Sequence, residues 1–153
     1  MADTFSQIYI HVVFAVHGRQ NLLQKPWRNL VFAYISGILT NKGLKSIIVN
    51  GIEDHVHVLF ELKPRYSISD IVRDLKNQST NFINQNDWLQ FKFSWQSGFG
   101  AFSYSNSQIG SVYNYIQNQE LHHQKHSFKE EYLDLLRKYD VDFSDQHLFE
   151  WID

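Results

Sequence analysis

Two histidines on a predicted strand are the first residues whose spacing could support chemistry. The segment Asp54-His55-Val56-His57-Val58-Leu59 places them two apart, and alternate side chains of a strand project from the same face of a sheet. His55 and His57 could therefore converge on a single cation. Strand histidines that are hydrogen-bonded to their neighbours produce the same pattern, so the pair alone leaves both interpretations open.

A tyrosine and a glutamine form the second candidate group. Tyr115 and Gln119 lie four residues apart in a predicted helix, so they would share a helical face. A phenol with its ordinary pKa of about 10 is a poor nucleophile and needs a metal-polarised phosphate or a nearby base. Packing also explains a tyrosine in an aromatic-rich helix. Tyr104, Tyr113 and Tyr132 are alternatives on composition alone.

A histidine cluster and several basic residues lie near these groups in the sequence. In His122-His123-Gln124-Lys125-His126, His122 and His126 are one helical turn apart, but no glutamate completes a zinc-protease motif. The cluster is typical of a polar helix end, or of a supporting role near DNA. Lys76, beside Arg73 on another predicted helix, could face a phosphate or only solvent.

Composition predicts one cytoplasmic domain. The 153 residues are 43% hydrophobic and 16% aromatic, which is enough for a single core over residues 1–153. The chain has no cysteine, so disulfides, thiolate zinc sites, iron–sulfur clusters and cysteine nucleophiles are excluded. No apolar run approaches the length of a membrane helix, and we expect no membrane partner.

Charge divides the chain into a mildly basic body and an acidic tail. The formal net charge is −2, yet residues 1–139 carry 14 basic against 11 acidic side chains. The remaining acids crowd residues 140–153, together with aromatic residues. We expect this acidic, aromatic tail to pack against another surface, because its pattern is amphipathic.

Hydrophobic patterning predicts an α+β fold of the ferredoxin-like type. We expect strands at 5–16, 45–52, 55–62 and 91–95, and helices at 26–41, 67–83 and from 107 through about 119 or beyond. Residues 98–100 would form a turn. This order is the split βαβ plan, an antiparallel sheet with helices on one face, plus an extra C-terminal helix outside it. So common a fold does not name a function.

In combination, these segments resemble the single-tyrosine transposases of the HUH superfamily, of the insertion-sequence-200/605 type. The resemblance runs from about residue 5 to residue 132, in matching order. The segments that carry it are 11–14, 54–59, 71–76 with Ser79, 95–103, and Tyr115-Ile116-Gln117-Asn118-Gln119 followed by His122, His123 and Phe128.

The resemblance implies a DNA-cutting and DNA-joining enzyme. His55, His57 and Gln119 would hold one divalent metal ion, Mg²⁺ or Mn²⁺. Tyr115 would be the nucleophile, forming a 5′-phosphotyrosine intermediate on single-stranded DNA at hairpin-bearing element ends. Three further residues would support the site: Asp54, His122 and His123.

The resemblance also implies partners for the chain. The enzyme would be a homodimer in which Tyr115 and Gln119 of one protomer face His55 and His57 of the other. DNA phosphates would meet a local basic patch, formed by Arg73, Lys76, Lys92 and Lys125. Candidates for stacking on bases, or for simple loop packing, are Phe99, Phe102 and Tyr104.

Two other functions stay open at this point. The first is a non-catalytic ferredoxin-like module that binds single-stranded nucleic acid and needs no metal. The second is a metal-dependent hydrolase built on the same two histidines, which would release free 5′-phosphates. An inactive transposase copy would keep the same fold.

Overall fold

Four strands and five helices make up residues 2–151, the part of the chain that this computed structural model describes. In chain order they are β1 (Tyr9–Ala15), α1 (Lys25–Asn41), β2 (Lys45–Gly51), β3 (His55–Glu61), α2 (Ile68–Gln85), β4 (Gly100–Tyr104), α3 (Ile109–Gln117), α4 (Gln119–His123) and α5 (Phe128–Lys138). Short 3-10 turns lie at Arg19–Asn21, Asn106–Gln108 and Asp145–His147. None of the helices within 2–151 is both long and apolar enough to cross a membrane.

The strands form one antiparallel sheet in the order β2-β3-β1-β4. β1 pairs with β3 on one side, where Val13 lies opposite His57. It pairs with β4 on its other side, where His11 lies opposite Phe102. β2 pairs with β3 on the other side. This is the strand order of the split βαβ plan, so the predicted ferredoxin-like sheet is confirmed.

The two faces of the sheet bury different helices. Val12 and Phe14 of β1 lie in the core formed with α1 and α2. Val13 and Ala15, which alternate with them, pack against α5 and the C-terminal segment. By the same alternation His55 and His57 of β3 lie on the α5 side, opposite Val56 and Val58. The face that carries the histidines is therefore the one that α5 covers.

Capping residues define where α2 and α5 begin. Ser67 accepts a hydrogen bond from the Asp70 N–H at 3.1 Å, and Ser127 accepts one from the Glu130 N–H at 3.2 Å. α5 also has acidic residues in its first turn and basic residues in its last, an arrangement that its dipole stabilises. These local interactions stabilise α5 as a separate helix. This helix packs across the sheet.

The predicted fourth strand is wrong. The fourth strand of the sheet is Gly100–Tyr104, and its first residue belongs to the predicted turn. In residues 91–95, Phe93 and Trp95 are buried, but the Phe93 N–H donates to Asn84 Oδ1 at 2.8 Å, and Trp95 forms only an isolated bridge with Val16. The alternation there reflects two rings filling the core, and the isolated bridge does not extend into a strand of the sheet.

The predicted third helix is interrupted. A 3-10 turn occupies 106–108, α3 ends at Gln117, and α4 begins at Gln119. Asn118 between them has φ −95° and ψ 25°, outside the helical region. Tyr115 and Gln119 are therefore not held together by one continuous helix.

The C-terminal segment packs on its own chain. Phe149 is buried against Phe128 and Tyr132 of α5. The Gln96 side chain holds the backbone of Glu150 through two hydrogen bonds, at 2.7 Å to its oxygen and 2.6 Å from its nitrogen. The expected packing of the tail is thus observed up to residue 151, and residues 152 and 153 lie outside the described part.

Gly51 tests how tightly the β2–β3 hairpin is built. A Cβ at this position would lie 2.2 Å from the His55 backbone oxygen. We expect Gly51→Ala to lower the free energy of unfolding by about 3 kcal/mol, because backbone atoms must move apart. Gly37→Ala in α1 is the control: nothing lies within 4 Å of its Cβ, and alanine should stabilise the helix by about 0.5–1 kcal/mol. Urea denaturation measures both, and a Gly51→Ala protein as stable as wild type would contradict this packing.

Candidate active site

A single buried carboxylate lies at the centre of the candidate site. Glu131, in the first turn of α5, is only 3% exposed. Its Oε1 lies 3.1 Å from Nε2 of His55, of His57 and of His123. A buried carboxylate is stable only when donors surround it, and these three imidazoles, from β3 and α4, are such donors.

The second oxygen of the same carboxylate contacts the candidate nucleophile. Glu131 Oε2 accepts hydrogen bonds from the Tyr115 hydroxyl and, at 2.8 Å, from Gln119 Nε2. Gln119 is fully buried, and its Oε1 lies 3.0 Å from Nε2 of both His55 and His123. Phenol, carboxamide and imidazoles therefore meet around Glu131 although the helix between Tyr115 and Gln119 is broken.

Polar contacts to α1 and β2 hold the segment that carries Tyr115. The Asn50 side-chain amide donates to the backbone oxygen of Ile116 at 3.0 Å, and Ile116 is itself buried. The buried Arg28 of α1 donates to Glu120 at 2.7 Å. These contacts fix the end of α3 and the start of α4 against the edge of the sheet.

His55 lies between two carboxylates. Its Nδ1 is 2.7 Å from Asp54 Oδ1, and its ring stacks on Phe128 with 3.9 Å between centroids. Burial alone would lower its pKa, but the hydrogen bonds and charges of Asp54 and Glu131 outweigh burial and raise the pKa of His55 to about 9. Without a metal ion, His55 is therefore an imidazolium that donates through both nitrogens.

A hydrogen-bonded chain continues behind His57. His57 Nδ1 is 2.7 Å from His11 Nε2, and His11 Nδ1 is 2.8 Å from the Tyr104 hydroxyl. Burial lowers the pKa of both histidines, so both are neutral. A carboxylate only accepts hydrogen bonds. His57 therefore donates to Glu131, His11 donates to His57, and Tyr104 donates to His11.

The electrostatics keep Glu131 ionised and Tyr115 protonated. Burial would raise the pKa of Glu131, but its electrostatic interaction with His57 and the hydrogen bonds from His123, His55 and His57 hold it far below its usual range. Burial and the Glu131 charge raise the pKa of Tyr115 well above 10. The phenol is thus held next to a proton acceptor without being ionised.

The donor set fits a divalent cation. His55, His57 and Glu131 offer ligand atoms that lie within 4.8 Å of one another, and Gln119 Oε1 lies 3.0 Å from His55 Nε2. Ligands at right angles and about 2.1 Å from Mg²⁺ lie about 3.0 Å apart, close to the spacings here. Imidazoles suit transition metals and oxygen donors suit Mg²⁺ or Mn²⁺, so this mixed donor set is compatible with a divalent metal ion.

The expected supporting residues also reach this cluster. Asp54 contacts His55 as described, and His123 contacts both Gln119 and Glu131. His122 Nε2 is 3.6 Å from Glu131 Oε2 and makes no hydrogen bond. His122, His123 and Glu131 form a second group with convergent ligand atoms, so Glu131 belongs to both groups.

The structure assembles all of these residues within one chain. The resemblance implied that Tyr115 and Gln119 would face the histidines of a second protomer. Here Gln119 and the Tyr115 hydroxyl contact the same Glu131 that contacts His55 and His57 of their own chain. A partner is not needed to complete the cluster.

The basic residues expected to bind DNA do not form one patch at this site. Arg73 and Lys76 belong to α2, which packs on the opposite face of the sheet. Lys76 Nζ donates to the backbone oxygens of Gln96 and Gly98 at 2.8 and 2.7 Å, and burial lowers its pKa to about 8. Lys76 therefore holds the loop at 96–98 in place, and its expected contact with a DNA phosphate stays a prediction.

The other three basic residues lie in separate places. Arg73 is exposed and pairs with Asp70 and Asp74 of its own helix. Lys92 lies between α2 and β4, and Lys125 lies between α4 and α5. Nearness along the sequence did not indicate which face of the sheet each would occupy.

The aromatic stacking candidates mainly pack. Phe102 is buried beside Tyr139 with 5.3 Å between their centroids, and Phe99 packs against the core under α1 and α2. Tyr104 is engaged by His11. For Phe99 and Phe102 the loop-packing alternative is the one observed.

Sequence reasoning missed Glu131 and His11. Glu131 lies on the same helical face as Phe128, Tyr132 and Leu135, which are all buried, and an acid on an apolar face is a detectable signal. His11 lies in an apolar strand at the same parity as Val13. Each is a polar side chain at a core position, which a hydrophobicity scan alone passes over.

Comparison with known proteins shows the family of the chain. Residues 4–119 match the family model described as IS200-like transposase, and the chain belongs to this family. No curated protein sequence matches it. The matched residues end at Gln119, so α5 and Glu131 lie beyond them.

Two solved structures share the fold. One is a protein of Deinococcus radiodurans R1 assigned as a transposase, with 21% identity, a TM-score of 0.61, and coverage of 78% of this chain and 95% of that one. The other is a REP-associated tyrosine transposase bound to a REP hairpin, with 16% identity, a TM-score of 0.58, and coverage of 80% and 74%. At these identities the similarity establishes the fold.

The raised pKa of His55 predicts a pH-dependent stability in the metal-free protein. Its folded pKa of about 9 exceeds the unfolded value of 6.5, so its contribution is complete below pH 6.5 and is lost as the pH rises through 9. Between pH 7 and 8 the contribution of His55 falls by about 1 kcal/mol, and the lowered pKa values of Lys76 and of His11, His57 and His122 offset part of this loss. We therefore expect the free energy of unfolding to fall by about 0.5 kcal/mol.

Urea denaturation in a chelating buffer at closely spaced pH values measures this slope. Asp54→Asn removes one of the two carboxylates beside His55, so the slope should become shallower. A wild-type stability that rises from pH 7 to 8, or a slope that Asp54→Asn leaves unchanged, would show that His55 is not charged in this way.

Proposed function

We propose that this IS200-like transposase cleaves and rejoins single-stranded DNA by transesterification through Tyr115. The observation that supports this best is the hydrogen bond from the Tyr115 hydroxyl to Glu131, the carboxylate that also contacts His55 and His57. A phosphate bound at these histidines would lie within reach of the phenol oxygen, and such positioning accounts for much of the acceleration in enzymes.

The reaction exchanges one phosphoester for another. The Tyr115 oxygen forms a bond to phosphorus, the bond from phosphorus to the 3′ oxygen of the upstream nucleotide breaks, and that oxygen leaves as a 3′-OH after taking a proton from solvent. Glu131 contacts the hydroxyl and accepts the phenol proton. The 5′-phosphotyrosine link keeps the ester, so a different 3′-OH can reverse the step and rejoin the strand without ATP.

The proposed metal ligands are His55, His57 and Gln119, and we add Glu131 because its Oε1 lies 3.1 Å from both histidine Nε2 atoms. When bound, Mg²⁺ or Mn²⁺ supplies Lewis-acid polarisation of a phosphate oxygen. The Nδ1 atom of His57 contacts His11, and the Nδ1 atom of His55 contacts Asp54. Contacts of this kind orient metal-binding histidines and tune their affinity for the metal.

The proposed substrate is a single strand with a hairpin at the end of a mobile element. Membership of the transposase family supports this. A structural neighbour with the same fold was solved with a REP hairpin, and folded single strands are commonly recognised by shape and loops. A DNA substrate and a cysteine-free sequence both favour the cytoplasm as its compartment.

The covalent adduct tests the nucleophile. The strands that flank the gene, labelled at the 5′ or the 3′ end, are incubated with protein and Mg²⁺ or Mn²⁺ and run on a denaturing gel. We expect the label of the 3′-side fragment to move with the protein. Tyr115→Phe and a chelator should each abolish this adduct, because one removes the attacking oxygen and the other removes the cation.

Tyr113→Phe is the matched control for this experiment. Tyr113 lies on the same helix but is 37% exposed, so its loss should leave both the adduct and hairpin binding intact. An adduct that persists in Tyr115→Phe would transfer the nucleophile to another residue. Hairpin binding without any adduct would favour the binding module, and free 5′-phosphates would favour the hydrolase.

Mixing two inactive variants distinguishes a single-chain site from a shared one. The homodimer with shared sites remains a prediction of the family resemblance, whereas the contacts within one chain favour a complete site in each protomer. A mixture of Tyr115→Phe and His57→Ala should then stay inactive. Recovery of adduct formation in the mixture would show that Tyr115 acts on the partner's metal site, and light scattering gives the assembly state.

A further inference from the structure

A cavity of about 290 Å³ opens beside the Tyr115 hydroxyl, between α3 and α5. Its lining includes both Tyr115 and Glu131. Two more tyrosines, Tyr104 and Tyr139, lie in its wall, their rings 5.7 Å apart and nearly perpendicular. Three of the ten lining residues are therefore tyrosines, and the cavity leads directly to the proposed nucleophile.

The size and chemistry of this cavity fit one nucleoside. At about 290 Å³ the cavity lies at the lower limit of the roughly 300–1,000 Å³ usual for ligand pockets, which suits a ligand as small as a single base with its sugar. Aromatic rings stack on any nucleobase. Lys138, also in the lining, holds its ammonium group 5.5 Å from the Tyr139 ring, where it can meet a backbone phosphate.

We propose that this cavity binds the nucleoside immediately 3′ of the cleaved bond, whose 5′-phosphate becomes attached to Tyr115. This inference rests on the proposed function. In an in-line displacement the leaving 3′ oxygen departs opposite the attacking phenol oxygen. The upstream nucleotide therefore lies away from the tyrosine. The downstream nucleotide is joined to phosphorus through an equatorial oxygen. It therefore stays beside Tyr115, where the cavity opens.

Tyr139 is the residue that isolates this role. Tyr104 also lines the cavity, but its hydroxyl contacts His11, so changing Tyr104 would disturb His57 as well. Tyr139 contacts Phe102 and Tyr104 and lies outside the metal-ligand cluster. Replacing its ring with an aliphatic side chain removes a stacking surface and leaves that cluster in place.

An abasic scan of the hairpin strand tests the proposal. Each nucleotide is replaced in turn by an abasic one, and binding to Tyr115→Phe is measured by fluorescence anisotropy in a chelating buffer, where no cleavage occurs. The expected result is a loss of affinity of about 5- to 150-fold, the factor for losing one stacked base, at the first nucleotide 3′ of the mapped cut.

Tyr139→Leu, made in the same background, should bind the intact strand and that abasic strand equally. Tyr139→Phe keeps the ring, so it should still bind the intact strand more tightly than the abasic strand. It is the control that the effect of Tyr139→Leu does not come from misfolding. Tyr113 lies outside the cavity lining, so Tyr113→Leu should also retain this difference in affinity. No loss at this position, or a loss that persists in Tyr139→Leu, would overturn the proposal. Adduct formation by the wild-type protein on the intact strand is scored separately, so the failure of this inference is distinct from the failure of transesterification.

Discussion

The burial of one negative charge is the constraint on which the rest of the site depends. Glu131 can remain ionised at 3% exposure only because imidazoles, a carboxamide and a phenol surround both of its oxygens. Those groups come from β3, α3 and α4, and Glu131 itself comes from α5. The contacts of a single carboxylate therefore hold these four elements in their relative positions and place Tyr115 beside the two strand histidines.

The layers of the fold separate the site from the main core. α1 and α2 bury one face of the sheet in an apolar core. The histidine face is covered by α5, whose apolar side chains pack on Val13 and Ala15 while Glu131 faces the imidazoles. Since the family match ends at Gln119, the closing helix and its carboxylate are supplied by the chain beyond the matched segment.

Much of this could be predicted from local pattern. Strand alternation correctly placed His55 and His57 on one face, and helical spacing correctly located α1 and α2. The fourth strand was wrong because Phe93 and Trp95 alternate for reasons of core packing, whereas Gly100–Tyr104 contains small residues with weak strand preference. These errors arise where tertiary contacts override a local signal.

The central carboxylate could not be predicted in the same way. Glu131 lies 74 residues from His57 along the chain, and no spacing rule joins positions so far apart. Lys76 is a second example. Its positive charge suggested that it could contact a phosphate, whereas in the structure it donates to two backbone oxygens. Only the crossing of α5 over the sheet determines which polar residues meet.

Adduct formation by Glu131→Gln is the most direct test of the central claim. Glutamine keeps the shape of the side chain and removes its charge, and the exposed neighbour supplies the matched control, Glu130→Gln. We predict that Glu130→Gln forms the covalent DNA adduct at the wild-type rate, and that Glu131→Gln folds, as judged by circular dichroism, but forms it at least about 100-fold more slowly, the scale of losing a general base. A folded Glu131→Gln protein that forms the adduct at the wild-type rate would contradict the account.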